Sequence, residues 1–228
     1  MRSRSTVSQK DENDDLSKDV VRVLLDLYGV VIALALTTAI GITVAPSGIA
    51  ISPFELNERN LALFGAFFVT VVPFYHGASM YLLKTYKQGH PSSKKGAPLV
   101  DFFALAIEGV IFYAIASSIR NLQSFIIWFM FLFLLDIIWW GFTYFKSPDI
   151  NQAPKWWAIL NGIMILFLIS IAGIQAELWM QVYTLIFAVA VFRTFLDYKL
   201  CYSFYFPPKR KNEPEKTNDT DVMNKRCS

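Results

Sequence analysis

Residues 98–119 read PLVDFFALAIEGVIFYAIASSI. About 20 mostly apolar residues suffice to carry an α-helix across the ~30 Å hydrocarbon core of a bilayer. This stretch has that length, yet it holds two carboxylates, Asp101 and Glu108. Spaced seven residues apart, the two acids fall on one helix face, roughly 10 Å from each other along the axis. Small residues at Ala104, Ala106, Gly109, Ala114 and Ala116 let neighbouring helices approach closely. An ionisable group in lipid is unfavourable enough that it usually faces a bundle interior or a water-filled cavity. This one segment therefore predicts both a membrane fold and a polar interior.

The apolar signal recurs at 19–44, 60–85, 122–146, 155–174 and 177–203. With 98–119 these segments predict an all-α integral membrane bundle of six transmembrane helices occupying 19–206. The whole chain agrees: of its 228 residues 54% are hydrophobic and only 17% charged, below the quarter usual in soluble domains. Its mean hydropathy is +0.40. A soluble domain of this size would need far more polar surface to cover its core. Residues 1–18 and 207–228 are polar and charged, too poor in apolar surface to offset the entropy of ordering, and are expected to be disordered tails. The first of them lacks the apolar stretch of a cleavable signal peptide. Ser52-Pro53-Phe54-Glu55 reads as a capping box ahead of the second helix, and the short links at 117–121 and 172–175 predict antiparallel hairpins.

Lys and Arg alternate from loop to loop. Arg2, Arg4, Lys10, Lys18 and Arg22 precede or open the first helix, Lys84, Lys87, Lys94 and Lys95 follow the second, and Lys146 and Lys155 flank the fourth connection. The C-terminal end is also basic, whereas the other three loops hold only Arg59 and Arg120. By the positive-inside rule both termini are cytoplasmic, in the cytoplasmic (inner) membrane. Trp139, Trp140, Trp156 and Trp157 would then form an aromatic belt at the inner interface. The cysteines Cys201 and Cys227 would face a reducing compartment, where a disulfide is not expected. Cys201, near a helix end, is open to S-acylation, a free thiol being the plainer reading.

Function must come from the ionisable groups inside the apolar segments: Asp26, His76, Asp101, Glu108, Asp136, Arg193 and Asp197, with Arg22 at the edge. In the predicted orientation they all fall at mid-membrane or in the inner half, as a polar cavity open to the cytoplasm would require. Glu108, His76, Asp136 and Asp101 are the candidate proton- or ion-binding residues. Asp26 with Arg22, and Arg193 with Asp197, are i, i+4 pairs expected at the cavity mouth or as self-neutralising ion pairs. Pro73, inside the second helix, frees a backbone carbonyl and predicts a kink. His76, one turn on, could relay protons or bind a metal as neutral imidazole. His76, Glu108 and Asp136 could also form a mixed nitrogen–oxygen metal site, although no spacing typical of metal ligands supports it.

No nucleophile-elbow, zinc-protease, Walker or dinucleotide-binding pattern occurs, and no cofactor is expected. The basic residues do not interleave with aromatics, so nucleic acid is not an expected partner. The expected partners are membrane lipid and a proton or small cation, with homo-oligomerisation left open. The leading expectation is a proton or small-cation transporter or channel built on these carboxylates. The alternatives are a non-catalytic membrane sensor, assembly or effector protein and, ranked below it, an embedded enzyme using His76 and the carboxylates on a lipid or quinone.

Overall fold

The computed structural model describes residues 5–44, 57–87, 97–146, 154–172 and 179–207, and all regular structure among them is helical. The helices are α1 (Ser5–Val44), α2 (Glu58–Lys87), α3 (Ala97–Ser117), α4 (Leu122–Lys146), α5 (Lys155–Ala172), α6 (Trp179–Leu200) and the single-turn α7 (Tyr202–Tyr205). Five of them, α1 to α5, contain stretches long and apolar enough to cross a membrane. Helix α6 has 22 residues, about 33 Å at the α-helical rise, but carries Arg193, Asp197 and Lys199.

Helix α1 starts at Ser5, so residues 5–18, expected as part of a disordered tail, extend the first helix instead. Adding turns to an existing helix avoids the cost of nucleation, which lets a polar segment continue one already fixed by an apolar span. The proposed capping box at 52–55 and the tail from 208 onward lie outside the described residues. The start of α2 is capped by Asn57, whose Oδ1 accepts the Arg59 amide at 3.0 Å. Asn121 does the same for α4, accepting the Ser124 amide at 3.1 Å, and so ends the tight α3–α4 turn with a defined direction.

Helix α1 packs on α2 and α3, α3 on α4, α4 on α5, α5 on α6, and α6 on α2. The bundle is thus a closed ring in the order α1–α2–α6–α5–α4–α3, with a smaller α2–α3 contact across it. Outward faces are apolar: Val30, Leu34, Val110, Phe131, Leu166, Phe192 and Phe195 are each at least half exposed. A helix in water would place polar residues there, so these faces suit lipid.

The inside of the ring differs between its two ends. Toward the α3–α4 turn it is filled by Leu63, Phe67, Phe112, Ile115, Phe125, Phe129 and Phe133, all fully buried. Their rings form a continuous chain, with centroids 6.1 Å apart for Phe67–Phe112, 6.0 Å for Phe74–Phe112 and Phe74–Phe133, and 5.1 Å for Phe129–Phe133. Toward α7 the inside is polar.

Candidate functional site: a buried polar cavity

Pro73 is buried in the middle of α2 and has no N–H to donate. The carbonyl four residues earlier, on Val69, therefore loses its helical partner. Thr194 of α6 replaces it, donating Oγ1 to the Val69 oxygen at 3.0 Å. The break in α2 is thereby joined to α6 one residue from Arg193.

Arg193 stands where the aromatic plug meets the polar end. Its guanidinium lies 5.2 Å from the Phe74 ring and 5.6 Å from Phe133, within cation–π range of both. On its other side Nη2 donates to Asn161 Oδ1 of α5 at 2.7 Å, and Nη1 lies 3.4 Å from Asp197 Oδ2. Asn161, with no exposed surface, uses its Nδ2 to donate to Asp136 Oδ2 of α4. Arg193 is thus joined to Asp136 through an amide rather than by direct ion pairing. Asp197 also accepts from the Tyr205 hydroxyl of α7 at 3.1 Å. A phenol is a donor and a carboxylate an acceptor, so Tyr205 gives the proton in this bond.

Glu108 of α3 is only 4% exposed. It faces Asp136, with which it interacts electrostatically, and the Tyr28 hydroxyl of α1. Glu108, Asp136, Arg193 and Asp197 line one cavity together with Pro73, Gly77, Trp139, Trp157 and Tyr205. Its volume is about 20 Å³, room for roughly one water. The Trp157 Nε1, Arg193 Nε and Asp197 Oδ1 atoms around it are buried and not hydrogen-bonded within the protein. They can supply the two to four polar partners that a water in such a space needs.

The sequence candidates therefore separate. Glu108 and Asp136 share the cavity. Arg193 and Asp197, expected at a boundary or mouth, sit inside it, since their charges neutralise each other and are completed by Asn161 and Tyr205. Asp101 is buried elsewhere, accepting from Tyr86 Oη at 2.5 Å and from Trp139 Nε1 at 3.4 Å. His76 is half-buried outside the cavity, with Nδ1 3.2 Å from the Tyr198 hydroxyl and its ring 4.8 Å from that of Tyr205. Arg22 and Asp26 are exposed on α1 and do not line the cavity. Two of the tryptophans expected in an interfacial belt point inward instead: Trp157 is buried, and Trp139 donates to Asp101. Cys201 is a buried free thiol, a poor acceptor for an acyl group. Among the described residues no three His, Cys, Asp or Glu side chains converge on a point that could hold a metal.

Sequence reasoning missed Asn161, Thr194, Tyr28 and Tyr205. Asn161 had a usable signal, being the one amide within the apolar run of the fifth segment. Comparison with known protein families, curated proteins and solved structures gives no match to this chain.

Proposed function

We propose that this chain is a six-span inner-membrane protein, with both termini cytoplasmic, that moves protons through the Glu108–Asp136 cavity. The outward face of α6, with Leu185, Val191, Phe192 and Phe195 exposed, supports reading it as the sixth span, its arginine and aspartate being turned inward and paired. The Lys and Arg alternation supports the orientation. The α7 end is then cytoplasmic, and the aromatic plug lies in the outer half.

The observation that carries the reading is the pairing of two carboxyl groups, from different helices, on a cavity lined by one arginine and with room for about one water. Asp136 is held by Asn161 and through it by Arg193. The cavity's arginine is engaged by Asp197 and Asn161 rather than by Glu108, which fits Glu108 to take up and release the proton. The volume of about 20 Å³ favours a proton over a hydrated metal cation, narrowing the cation class expected from sequence. Purified protein in liposomes, with a pH gradient and an interior pH dye, tests this. Proton flux above that of protein-free vesicles, abolished by Glu108→Gln, is expected. Equal flux in the wild-type chain and Glu108→Gln would remove the reading.

One observation favours a second reading, a non-catalytic sensor or assembly protein. Asp101 is tied off by fixed donors on both oxygens, as an acid that only joins helices would be. On that reading Glu108→Gln changes stability and leaves no transport to lose.

A further inference from the structure

Helix α7 follows a break at Cys201, whose φ of −105° and ψ of 18° leave the helical region. Beyond it the chain folds against α2 and α6. One turn of helix cannot hold itself in place, because ordering its residues gains too few hydrogen bonds. It is held by side chains. Tyr205 Oη reaches Asp197 at 3.1 Å, and Lys84 Nζ of α2 donates to the Phe204 carbonyl at 2.8 Å while lying 3.8 Å from the Phe204 ring centre. Trp157 sets its edge against Phe204 at 4.8 Å. Gly77 allows this closure: a Cβ there would come within 3.1 Å of the Trp157 indole and 3.6 Å of the Tyr205 hydroxyl. Phe204 and Tyr205 end up 7% and 3% exposed, with Tyr205 forming part of the cavity wall.

The opposite end of the interior is closed by interlocked aromatic rings from three helices. The α7 end is closed by a single helical turn, whose Phe204 and Tyr205 rings pack on Trp157, Tyr198 and His76 and which two polar tethers hold; one turn is less anchored than three full helices, so it is the weaker seal. We propose that α7 is a hinged lid over the polar cavity, turning at Cys201 and latched by Tyr205 on Asp197 and by Lys84 on the Phe204 carbonyl. As a control on water and proton access it rests on the proton-site reading. The lid itself can be tested by access alone, so the two can fail separately.

The test places a thiol in the cavity wall at Ala78, which also lines the cavity, by Ala78→Cys in the full chain with Cys201→Ala and Cys227→Ala, reconstituted in lipid. The probe is a small charged thiosulfonate reagent, and the readout is the labelling rate. With the latch intact labelling is slow. Adding Tyr205→Phe and Lys84→Met, which keep most of the side-chain bulk, should raise the rate about tenfold or more, as expected for losing two hydrogen bonds of the closed state. Tyr205→Phe alone should give an intermediate rate, and it provides the result if the double variant does not fold. A thiol on the outward face at the inner end of α3, Leu99→Cys, at a position 58% exposed, should label at the same rate in all backgrounds. If unlatching leaves the Ala78→Cys rate unchanged, or if outward and cavity thiols accelerate together, α7 is not the lid. Accelerated labelling without proton flux in any variant would uphold the lid and remove the transport reading.

Discussion

Replacing Thr194 by valine removes one hydroxyl and keeps the shape of the side chain. The hydroxyl's target is the Val69 carbonyl, 3.0 Å away, which has lost its helical donor because residue 73 is proline. In a lipid-enclosed bundle bulk water does not reach a backbone group left without its partner. A buried acceptor left unpaired costs about 1–3 kcal/mol in soluble proteins. Interhelical hydrogen bonds in membranes average only about 0.6 kcal/mol, with a maximum near 1.7, because the unfolded chain also finds partners. An acceptor already short of one donor belongs near the top of that range, so Thr194→Val should destabilise by about 1.5 kcal/mol. The assay is reversible unfolding in mixed detergent–SDS micelles, run as a cycle with Pro73→Ala. Alanine restores the backbone donor to Val69, so in that background Thr194→Val should cost at most about 0.5 kcal/mol, a coupling of about 1 kcal/mol. An equal cost in both backgrounds would show that Thr194 does not stand in for the proline's missing amide.

Asn161→Leu breaks the link between Arg193 and Asp136 at both ends and should destabilise by about 1–3 kcal/mol in the same assay; most of that loss should vanish when Arg193 is already methionine. Gly109→Ala puts a Cβ 2.4 Å from Val31 Cγ1, forcing α1 off α3 at a cost of about 1–3 kcal/mol. Val31→Ala should recover most of it, and Gly162→Ala, where the added carbon meets nothing within 4 Å, should be neutral or better. Tyr86→Phe should weaken the fold by about 1 kcal/mol and leave liposome proton flux unchanged, since Asp101 lies outside the cavity; lost flux at full stability would place Asp101 on the proton path.

Hydropathy made the helices legible. The second segment was expected at 60–85 and α2 is Glu58–Lys87; the fourth was expected at 122–146 and α4 is Leu122–Lys146. Lateral order was not legible, because an apolar stripe does not say which neighbour it meets. The ring brings α6 against α2 and α5, and that contact decides which acids share a cavity. Asp101 and Glu108 lie on one face of α3, as their spacing requires. Ten ångströms of axial separation nevertheless gives them different neighbours, Tyr86 and Trp139 for one and Asp136 for the other. Arg193 and Asp197 looked like a boundary pair because an i, i+4 spacing neutralises charge in any setting. Only the partners Asn161, on another helix, and Tyr205, brought back toward Asp197 by the break at Cys201, make a fully interior position affordable. Tryptophan is the expected residue at an interface, which is why Trp157 was read there rather than as part of the cavity wall.

The most direct measurement is infrared difference spectroscopy of the lipid-reconstituted chain as pH is changed, following the C=O stretch of protonated carboxyl groups. A carboxyl band should appear and disappear with pH, shift on exchange into D₂O, vanish in Glu108→Gln and move in Asp136→Asn. A spectrum in which no carboxyl band responds to pH, or in which Glu108→Gln leaves the responding band untouched, would contradict a proton site at Glu108.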